Sequence, residues 1–170
     1  MAPIIPYDRE AAIAYAHQWA YSRNPSFYNY DDIGGDCTNF ASQCLYAGTG
    51  VMNFTPTFGW YYIDANRKAP AWTGVPYFYN FMTRNEISPG PFGIEATNLD
   101  QLLPGDFVQF RFTRDRFGHT PIIVEMGNPP TLENTLIAAH TYDADYRPLS
   151  TYYYQTIRFI HIIGAHPADN

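Results

Sequence analysis

Apolar side chains near the start of the chain recur every three to four residues, which is the spacing of one face of a helix. The stretch from Tyr7 to Tyr21 carries this pattern on residues that favour helices. Asp8 precedes it as a candidate N-cap, and Asn24-Pro25 would end it, because a residue before proline avoids the helical conformation. The sequence predicts a helix here, and its buried stripe consists of Ala11, Ala12, Tyr15, Ala16 and Trp19.

A second helix is predicted after a polar segment that ends in two glycines. Residues 28–35 are typical of a loop, and Asp36 is placed to cap the helix that follows. The helix would run from about Cys37 to Tyr46, with Gly48 in the left-handed position that often follows a helix.

Residues 50–100 show little periodicity but are rich in aromatic side chains, prolines and glycines. One short helix is predicted there, over Val75–Arg84. Long, weakly patterned stretches inside compact domains are more often functional than idle. Aromatic residues between Trp60 and Phe81 are therefore candidates for lining a groove, although most aromatic side chains of the chain are expected in the core.

The second half of the chain changes to the alternation of apolar and polar residues that is typical of strands. Turns are predicted at 103–105, 113–118 and 127–130, and residues 143–150 are predicted to form a polar loop. The predicted strands are Asp106–Phe112, His119–Met126, Thr135–Thr141 and Tyr152–Ile163. Helices followed by an antiparallel meander indicate an α+β fold, with N-terminal helices packed on an antiparallel sheet of about 4–6 strands. A single domain over residues 1–170 is expected from the length of the chain.

Composition excludes several classes of protein. A content of 46% hydrophobic and 15% charged residues is incompatible with intrinsic disorder. The net charge of −6 and the absence of any Lys/Arg cluster argue against a nucleic-acid partner. No apolar stretch approaches about 18 residues, so no membrane span is predicted. The first residues lack the basic and apolar segments of a signal peptide, so we expect either an intracellular protein or one that has lost its leader.

The segment Gly34-Gly35-Asp36-Cys37 carries the strongest chemical signal in the chain. A cysteine in the first turn of a helix lies at the positive end of the helix dipole, which favours its thiolate. The glycines leave room for a substrate backbone, and the amide of Cys37 is free to face a developing oxyanion. The charge of Asp36 would raise the pKa of the thiol unless its side chain caps the helix. In the alternative interpretation Cys37 is only a small buried residue, a description that suits Cys44 better.

A thiolate nucleophile needs a histidine within hydrogen-bonding distance and usually a third group that orients that histidine. His119 opens one predicted strand, and His140 closes the neighbouring one. If the two strands pair around the turn at 127–130, both imidazoles lie at the same open end of the hairpin. The remaining histidines are expected to be structural or peripheral: His161 in an apolar strand, His17 on a helix flank and His166 in a polar tail.

On these residues, the sequence resembles the bacterial putative amidase domain of the papain-like superfamily, which is related to NlpC-type and CHAP cell-wall hydrolases. The segment Asp-Cys-Thr-Asn-Phe-x-Ser-Gln at residues 36–43 is its most specific part, and the resemblance covers about residues 7–163. Further matching segments are Tyr7-x-Arg9-x-Ala11, Tyr15-Ala16-x-x-Trp19, Asn24-Pro25, Leu103-x-Gly105-Asp106-x-Val108, Gly118-His119, Ile122-Ile123-Val124 and Ala139-His140-Thr141. Pro121 departs from the pattern and predicts an edge or a bulge in the histidine strand. No glutamine before Cys37 matches a papain-like oxyanion glutamine.

The resemblance implies a papain-like fold and a cysteine amidohydrolase or peptidase, in which Cys37 attacks a carbonyl and His119 transfers the proton. For the third catalytic position His140 matches best, with Asp143 and Asn134 as nearby alternatives. No cofactor or metal is expected, and the implied substrate is an amide bond in a peptide or in peptidoglycan. The resemblance also favours a secreted or cell-envelope location.

Two other functions remain open from the sequence. A transglutaminase-like acyl transferase would use the same cysteine and histidine but would pass the acyl group to an amine instead of water. A non-catalytic module would use its aromatic residues to bind a glycan or a peptide. Such a module has no need of a reactive Cys37, so the reactivity of this thiol distinguishes it from an enzyme.

Overall fold

The computed structural model describes residues 2–168 and shows an α+β fold, as the sequence predicts. Within these residues the helices are α1 (Arg9–Trp19), α2 (Cys37–Thr49), α3 (Pro70–Thr73) and α4 (Val75–Arg84). The bounds of α4 are those predicted, and α1 lies inside its predicted range. Asp8 caps α1, because its carboxylate accepts a hydrogen bond from the amide of Ala11.

Most of the strands join one curled antiparallel sheet. The strands are β1 (Ile5–Pro6), β2 (Tyr62–Asp64), β3 (Arg67–Lys68), β4 (Gly90–Ala96), β5 (Phe107–Arg111), β6 (Ile122–Glu125), β7 (Leu136–Ala139), β8 (Ala144–Pro148) and β9 (Thr156–His166). In the described part of the chain, β2 and β3 form a separate hairpin and the others form a seven-stranded sheet. The order is β1-β9-β5-β6-β7-β8, and β4 also pairs with β9.

The sheet has more strands than the predicted four to six. The prediction of a polar loop at 143–150 is wrong, because β8 lies there and pairs with β7. Two further strands escaped prediction: β1 has two residues, and β4 lies in the weakly patterned region. These strands are defined by their backbone hydrogen bonds. Such bonds do not require alternating apolar and polar side chains, so the sequence pattern does not reveal them.

Two apolar cores lie on opposite faces of the sheet. Along β5, Phe107 belongs to the core beneath the helices, whereas Val108 and Phe110 belong to the core on the other face. Helix α2 lies at the centre of the helical side, and all but two of its 13 residues are buried. This burial fixes the position of Cys37, the first residue of the helix.

The end of α2 differs from the prediction. Gly48 lies inside the helix, and Gly50 adopts the left-handed conformation with φ of 70° that ends it. A Cβ at position 48 would come within 2.4 Å of the Tyr7 ring. The role of Gly48 is therefore to allow the close approach of the N-terminal segment, which a helical pattern alone does not reveal.

Candidate active site

Cys37 lies where the first turn of α2 meets the chain that leads into β6. Its Sγ is 3.7 Å from Oγ1 of Thr38 and 4.0 Å from the carbonyl oxygen of Gly118. The hydroxyl groups of Thr38 and Thr120 are hydrogen-bonded at 3.0 Å, which fastens the helix to this segment. The thiol is therefore packed against the residues that flank His119.

Burial raises the pKa of the Cys37 thiol above its ordinary value, because the protein interior disfavours the thiolate. Hydrogen bonds from Thr38 and from the backbone of Thr120 act in the opposite direction, and the charge of Asp36 raises the pKa further. The sequence-based expectation of a favoured thiolate is therefore wrong for the resting protein. The helix dipole contributes only about 0.3–1 kcal/mol, and desolvation outweighs it. Cys37 is a neutral thiol at neutral pH.

His119 lies in an aromatic enclosure at the end of the sheet. The residue is 6% exposed, and its ring centroid is within 6.4 Å of those of Phe110, Phe112 and Tyr152. Burial, and secondly the positive charge of Arg147, lowers the pKa of His119 to about 4. The imidazole is therefore neutral at neutral pH, which is the form that a general base requires.

A cleft of about 550 Å³ opens beside the His119 ring. It is lined by Phe112, Gly118, His119, Thr141, Tyr142, Arg147, Tyr152 and Tyr153. Thr141 and Tyr142 adopt left-handed φ angles of 64° and 57°, which is a strained conformation for a β-branched residue such as threonine. Oγ1 of Thr141 also accepts a hydrogen bond from the amide of Asp36. Strain of this kind is concentrated at functional sites.

The structure contains the predicted hairpin of the two histidine strands, but it does not bring their imidazoles together. Ile122 of β6 lies opposite Ala138 of β7. The pairing ends there, and His140 lies in the turn that follows β7. His140 packs against Phe40 of the core beneath the helices, whereas His119 packs against Phe110 of the core on the other face. The expectation of adjacent imidazoles is therefore wrong.

His140 lies in the core between α1 and α2 and is 1% exposed. Its Nδ1 donates a hydrogen bond to the carboxylate of Asp36, and its Nε2 donates one to the carbonyl oxygen of Trp19 at 2.8 Å. Both ring nitrogens therefore have a hydrogen-bonded partner. The ring also stacks on Phe40, with 3.9 Å between centroids. Neither nitrogen of His140 is therefore free to orient His119.

The carboxylate of Asp36 joins several segments around the start of α2. Besides His140, it accepts hydrogen bonds of 2.9 Å from the amide of Tyr30 and the side chain of Asn39. The guanidinium of Arg23 lies 3.7 Å away. In the described chain this carboxylate makes no capping bond to the backbone of α2, so the predicted side-chain cap is absent. The first-turn amides are left without that partner.

The alternative residues for the third position have other partners. Asp143 pairs with Arg23 at 2.9 Å, and Asn134 holds the turn before β7 through a hydrogen bond to the carbonyl oxygen of Pro129. Among residues 2–168, the side-chain nitrogens of His119 have no hydrogen-bonded partner. Aromatic packing is therefore what orients this ring.

The other polar residues of the segment 36–43 fasten α2 to the surrounding core, a role that the sequence did not indicate. Oδ1 of Asn39 accepts a hydrogen bond of 3.0 Å from the indole of Trp72. Oγ of Ser42 accepts one of 3.0 Å from the indole of Trp60 and donates to the carbonyl oxygen of Trp72. Both tryptophans are fully buried, so they form core and do not line a groove. Buried polar residues need hydrogen-bonded partners, but the sequence does not show which polar residues of this segment are buried.

Two of the remaining histidines pair with aspartates. Nδ1 of His17 is 2.8 Å from Asp145, and Nδ1 of His161 is 2.7 Å from Asp106. Within residues 2–168 no three or more His, Cys, Asp or Glu side chains converge as a metal site would require. No helix in that range is long and apolar enough to cross a membrane.

Residues 6–163 match the family described as "Putative amidase domain". A protein of Bacillus subtilis (strain 168) named "Uncharacterized protein YhbB" is 34% identical over 168 residues, which cover 92% of this chain and 50% of that protein. The chain thus spans about half the length of this curated relative. No solved structure matches the chain. Because the family match extends over nearly the whole sequence, the protein belongs to the putative amidase domain family.

Proposed function

We propose that the protein is a cysteine amidohydrolase that cleaves an amide bond through an acyl-enzyme. The description of its family supports amide hydrolysis in general terms. The observation that carries the finer assignment is the position of Cys37. It begins a buried helix, and its Sγ lies 4.0 Å from the carbonyl oxygen of Gly118, beside the cleft that His119 lines. Cys37 is thus packed against the segment that carries His119, and acyl transfer requires a nucleophile and a nearby base of this kind.

In the proposed mechanism both groups start uncharged. The neutral His119 takes the proton of the Cys37 thiol as Sγ attacks the substrate carbonyl, and it then gives this proton to the departing amine. The first-turn amides of α2, which Asp36 leaves uncapped, are the donors for the developing oxyanion. Water then attacks the thioester with His119 again as the base, which releases the acid and restores the thiol.

The role proposed for His140 is to position the start of α2. It holds Asp36, the residue before the nucleophile, instead of holding His119. The order of a nucleophile helix followed by a histidine strand supports the proposed relation to papain-like hydrolases. The resemblance of residues 36–43 is the basis for proposing a peptide or peptidoglycan substrate.

Digestion of purified peptidoglycan in ¹⁸O-labelled water tests the proposal, with the products identified by mass spectrometry. We expect the wild-type protein to release peptides whose new carboxyl groups carry ¹⁸O, and we expect Cys37→Ala to release none. Cys44→Ala is the matched control, and it should release the same peptides as the wild type. Retained hydrolysis in Cys37→Ala would contradict the proposal. Transfer of the acyl group to an added amine in preference to water would favour the acyl transferase.

A further inference from the structure

The cleft beside His119 contains a permanent charge that the proposed mechanism does not use. Among the described residues that line it, Arg147 is the only one that is always charged, and none is a carboxylate. Tyr142 and Tyr153 stand at the same cleft with exposed rings. The cleft is therefore a cationic depression with aromatic walls, in a protein whose net charge is −6.

Arg147 is held in one orientation by its neighbours. Its Nε donates a hydrogen bond of 2.8 Å to Oγ1 of Thr151, and its Nη2 donates one of 3.1 Å to the carbonyl oxygen of the same residue. The guanidinium carbon lies 3.7 Å from the centroid of the Tyr152 ring. Among residues 2–168 the Nη1 group has no hydrogen-bonded partner. A cation fixed in this way loses little side-chain entropy when it binds a ligand.

Arg147 has no acidic partner, unlike the three arginines that form close pairs with aspartates, and its position at the cleft of His119 distinguishes it from the other unpaired arginines. Those pairs, at 2.7–2.9 Å, are Arg9–Asp106, Arg23–Asp143 and Arg67–Asp64. In the described chain no carboxylate lies within salt-bridge distance of Arg147. Because Nε and Nη2 donate to Thr151, the Nη1 group is the donor that remains for an oxygen of a bound carboxylate. The chemistry of the cleft therefore fits an anionic group of this kind.

We propose that Arg147 anchors a carboxylate of the substrate, so that the enzyme acts on peptides in which an acidic group lies near the scissile amide. This inference rests on the proposed function of Cys37 and His119 and adds the class of substrate to it. The tyrosines at the cleft then contact the apolar part of the same substrate residue. Arg147 is a specificity residue in this arrangement.

A bound carboxylate also changes the base. In the free protein the charge of Arg147 helps to lower the pKa of His119, because two cations in one cleft repel each other. The carboxylate offsets that charge and so removes the smaller of the two causes that lower the pKa of His119, whereas burial, the larger cause, remains. The base therefore becomes stronger in the complex in which it must accept the proton of Cys37.

Alkylation of Cys37 by iodoacetate and by iodoacetamide tests the proposal without the natural substrate. Both reagents form a bond from Sγ to carbon and release iodide, but only iodoacetate carries a carboxylate. For Cys37, the rate with iodoacetate is divided by the rate with iodoacetamide. This quotient is then divided by the same quotient for N-acetylcysteine methyl ester, a small thiol compound without a charge of its own. We expect this normalised ratio to be about tenfold above unity in the wild type, as one charge-assisted hydrogen bond provides, and to fall to about unity in Arg147→Gln.

Arg116→Gln removes the same charge from the exposed turn before Gly118 and should keep the wild-type ratio. In the wild type the ratio should also fall as sodium chloride is added, because salt screens the anion from Arg147. A reactive Cys37 with a normalised ratio at or below unity, or a ratio unchanged in Arg147→Gln, would overturn this inference alone. A Cys37 that reacts with neither reagent would overturn the proposed function and this inference with it.

Discussion

Cys37 and His119 are both more stable uncharged in this protein, since burial raises the pKa of the thiol and lowers that of the imidazole to about 4. In a preformed thiolate–imidazolium pair both groups are charged before the substrate binds, whereas here both are uncharged. In this protein the charges form only while the proton moves, in a site from which the substrate has displaced water. The reactivity of Cys37 should therefore depend on a bound group more strongly than that of a thiolate.

The low pKa of His119 makes the stability of the fold depend on pH. The unfolded chain binds a proton at this residue below about pH 6.5, whereas the folded protein does so only near pH 4. The stabilising contribution is therefore complete above the unfolded value and is lost as the pH falls toward 4. The difference between the two pKa values corresponds to roughly 3 kcal/mol.

Urea unfolding of the wild type and of His119→Gln between neutral pH and pH 4 measures this effect. We expect the free energy of unfolding of the wild type to fall by roughly 3 kcal/mol more than that of the variant, since glutamine does not titrate. The carboxylates that titrate in the same range are common to both proteins. Parallel curves for the two would show that His119 has an ordinary pKa.

At the scale of the elements, the start of α2 is fixed by a charged cluster that consists of Arg23, Asp36, His140 and Asp143. Asp36 and His140 are both 1% exposed, and loss of one partner of a buried pair destabilises a protein by about 3–5 kcal/mol. Asp143 is 28% exposed, and its pair with Arg23 is worth about 0–1 kcal/mol. Loss of His140 should therefore destabilise the protein much more than loss of Asp143.

His140→Ala is expected to lower activity substantially while alkylation of Cys37 stays measurable, and Asp143→Ala is expected to do little. Activity is compared at a temperature at which circular dichroism shows each variant to be folded. The double variant Asp36→Asn/His140→Gln replaces both partners of the pair and should recover part of the stability that His140→Gln alone loses. A larger loss of activity in Asp143→Ala than in His140→Ala would contradict the positioning role of His140.

Elements with a strong side-chain pattern could be predicted, and those set by backbone pairing could not. Helix α4 has the predicted bounds although the region around it is weakly patterned, because its buried residues Val75, Phe78 and Met82 follow the helical spacing. The histidine hairpin was also predictable, but its register was not. The pairing of β6 with β7 shifts between Ile123 and Glu125 and ends at Ala138, so counting residues from the turn does not give the face on which His140 lies. The proposed nucleophile and the histidine strand were therefore selected from the sequence, while the partners of His140 required the structure.

At the scale of the whole molecule, Asp106 connects the N-terminal helix to the centre of the sheet. Its buried carboxylate accepts hydrogen bonds from Arg9, from His161 and from the amides of Leu103 and Ile162. These contacts join α1, the turn before β5 and the long strand β9.

Asp106→Asn should destabilise the protein by about 3–5 kcal/mol, because Arg9 then lacks the charge it pairs with and the amide cannot accept from every former partner. Chemical denaturation followed by tryptophan fluorescence reports the loss, since Trp60 and Trp72 lie in the core. Asp100→Asn makes the same change at an exposed aspartate six residues earlier and serves as the control. Equal stability of the two variants would contradict the role of Asp106.

The central claim is that Cys37 is the nucleophile and that His119 activates it from a neutral state. It is tested most directly by the rate of iodoacetamide alkylation at Cys37 and at Cys44, followed separately by peptide mapping from acidic to alkaline pH. Cys44 is completely buried and the pKa of its thiol is raised well above the ordinary value, so it is the internal control. We expect Cys37 to react much faster than Cys44 at every pH, with a rate that rises through a pKa above the ordinary thiol value. Equal labelling of the two cysteines, or preferential labelling of Cys44, would contradict the assignment of Cys37, and a plateau in the rate at neutral pH would contradict the neutral pair.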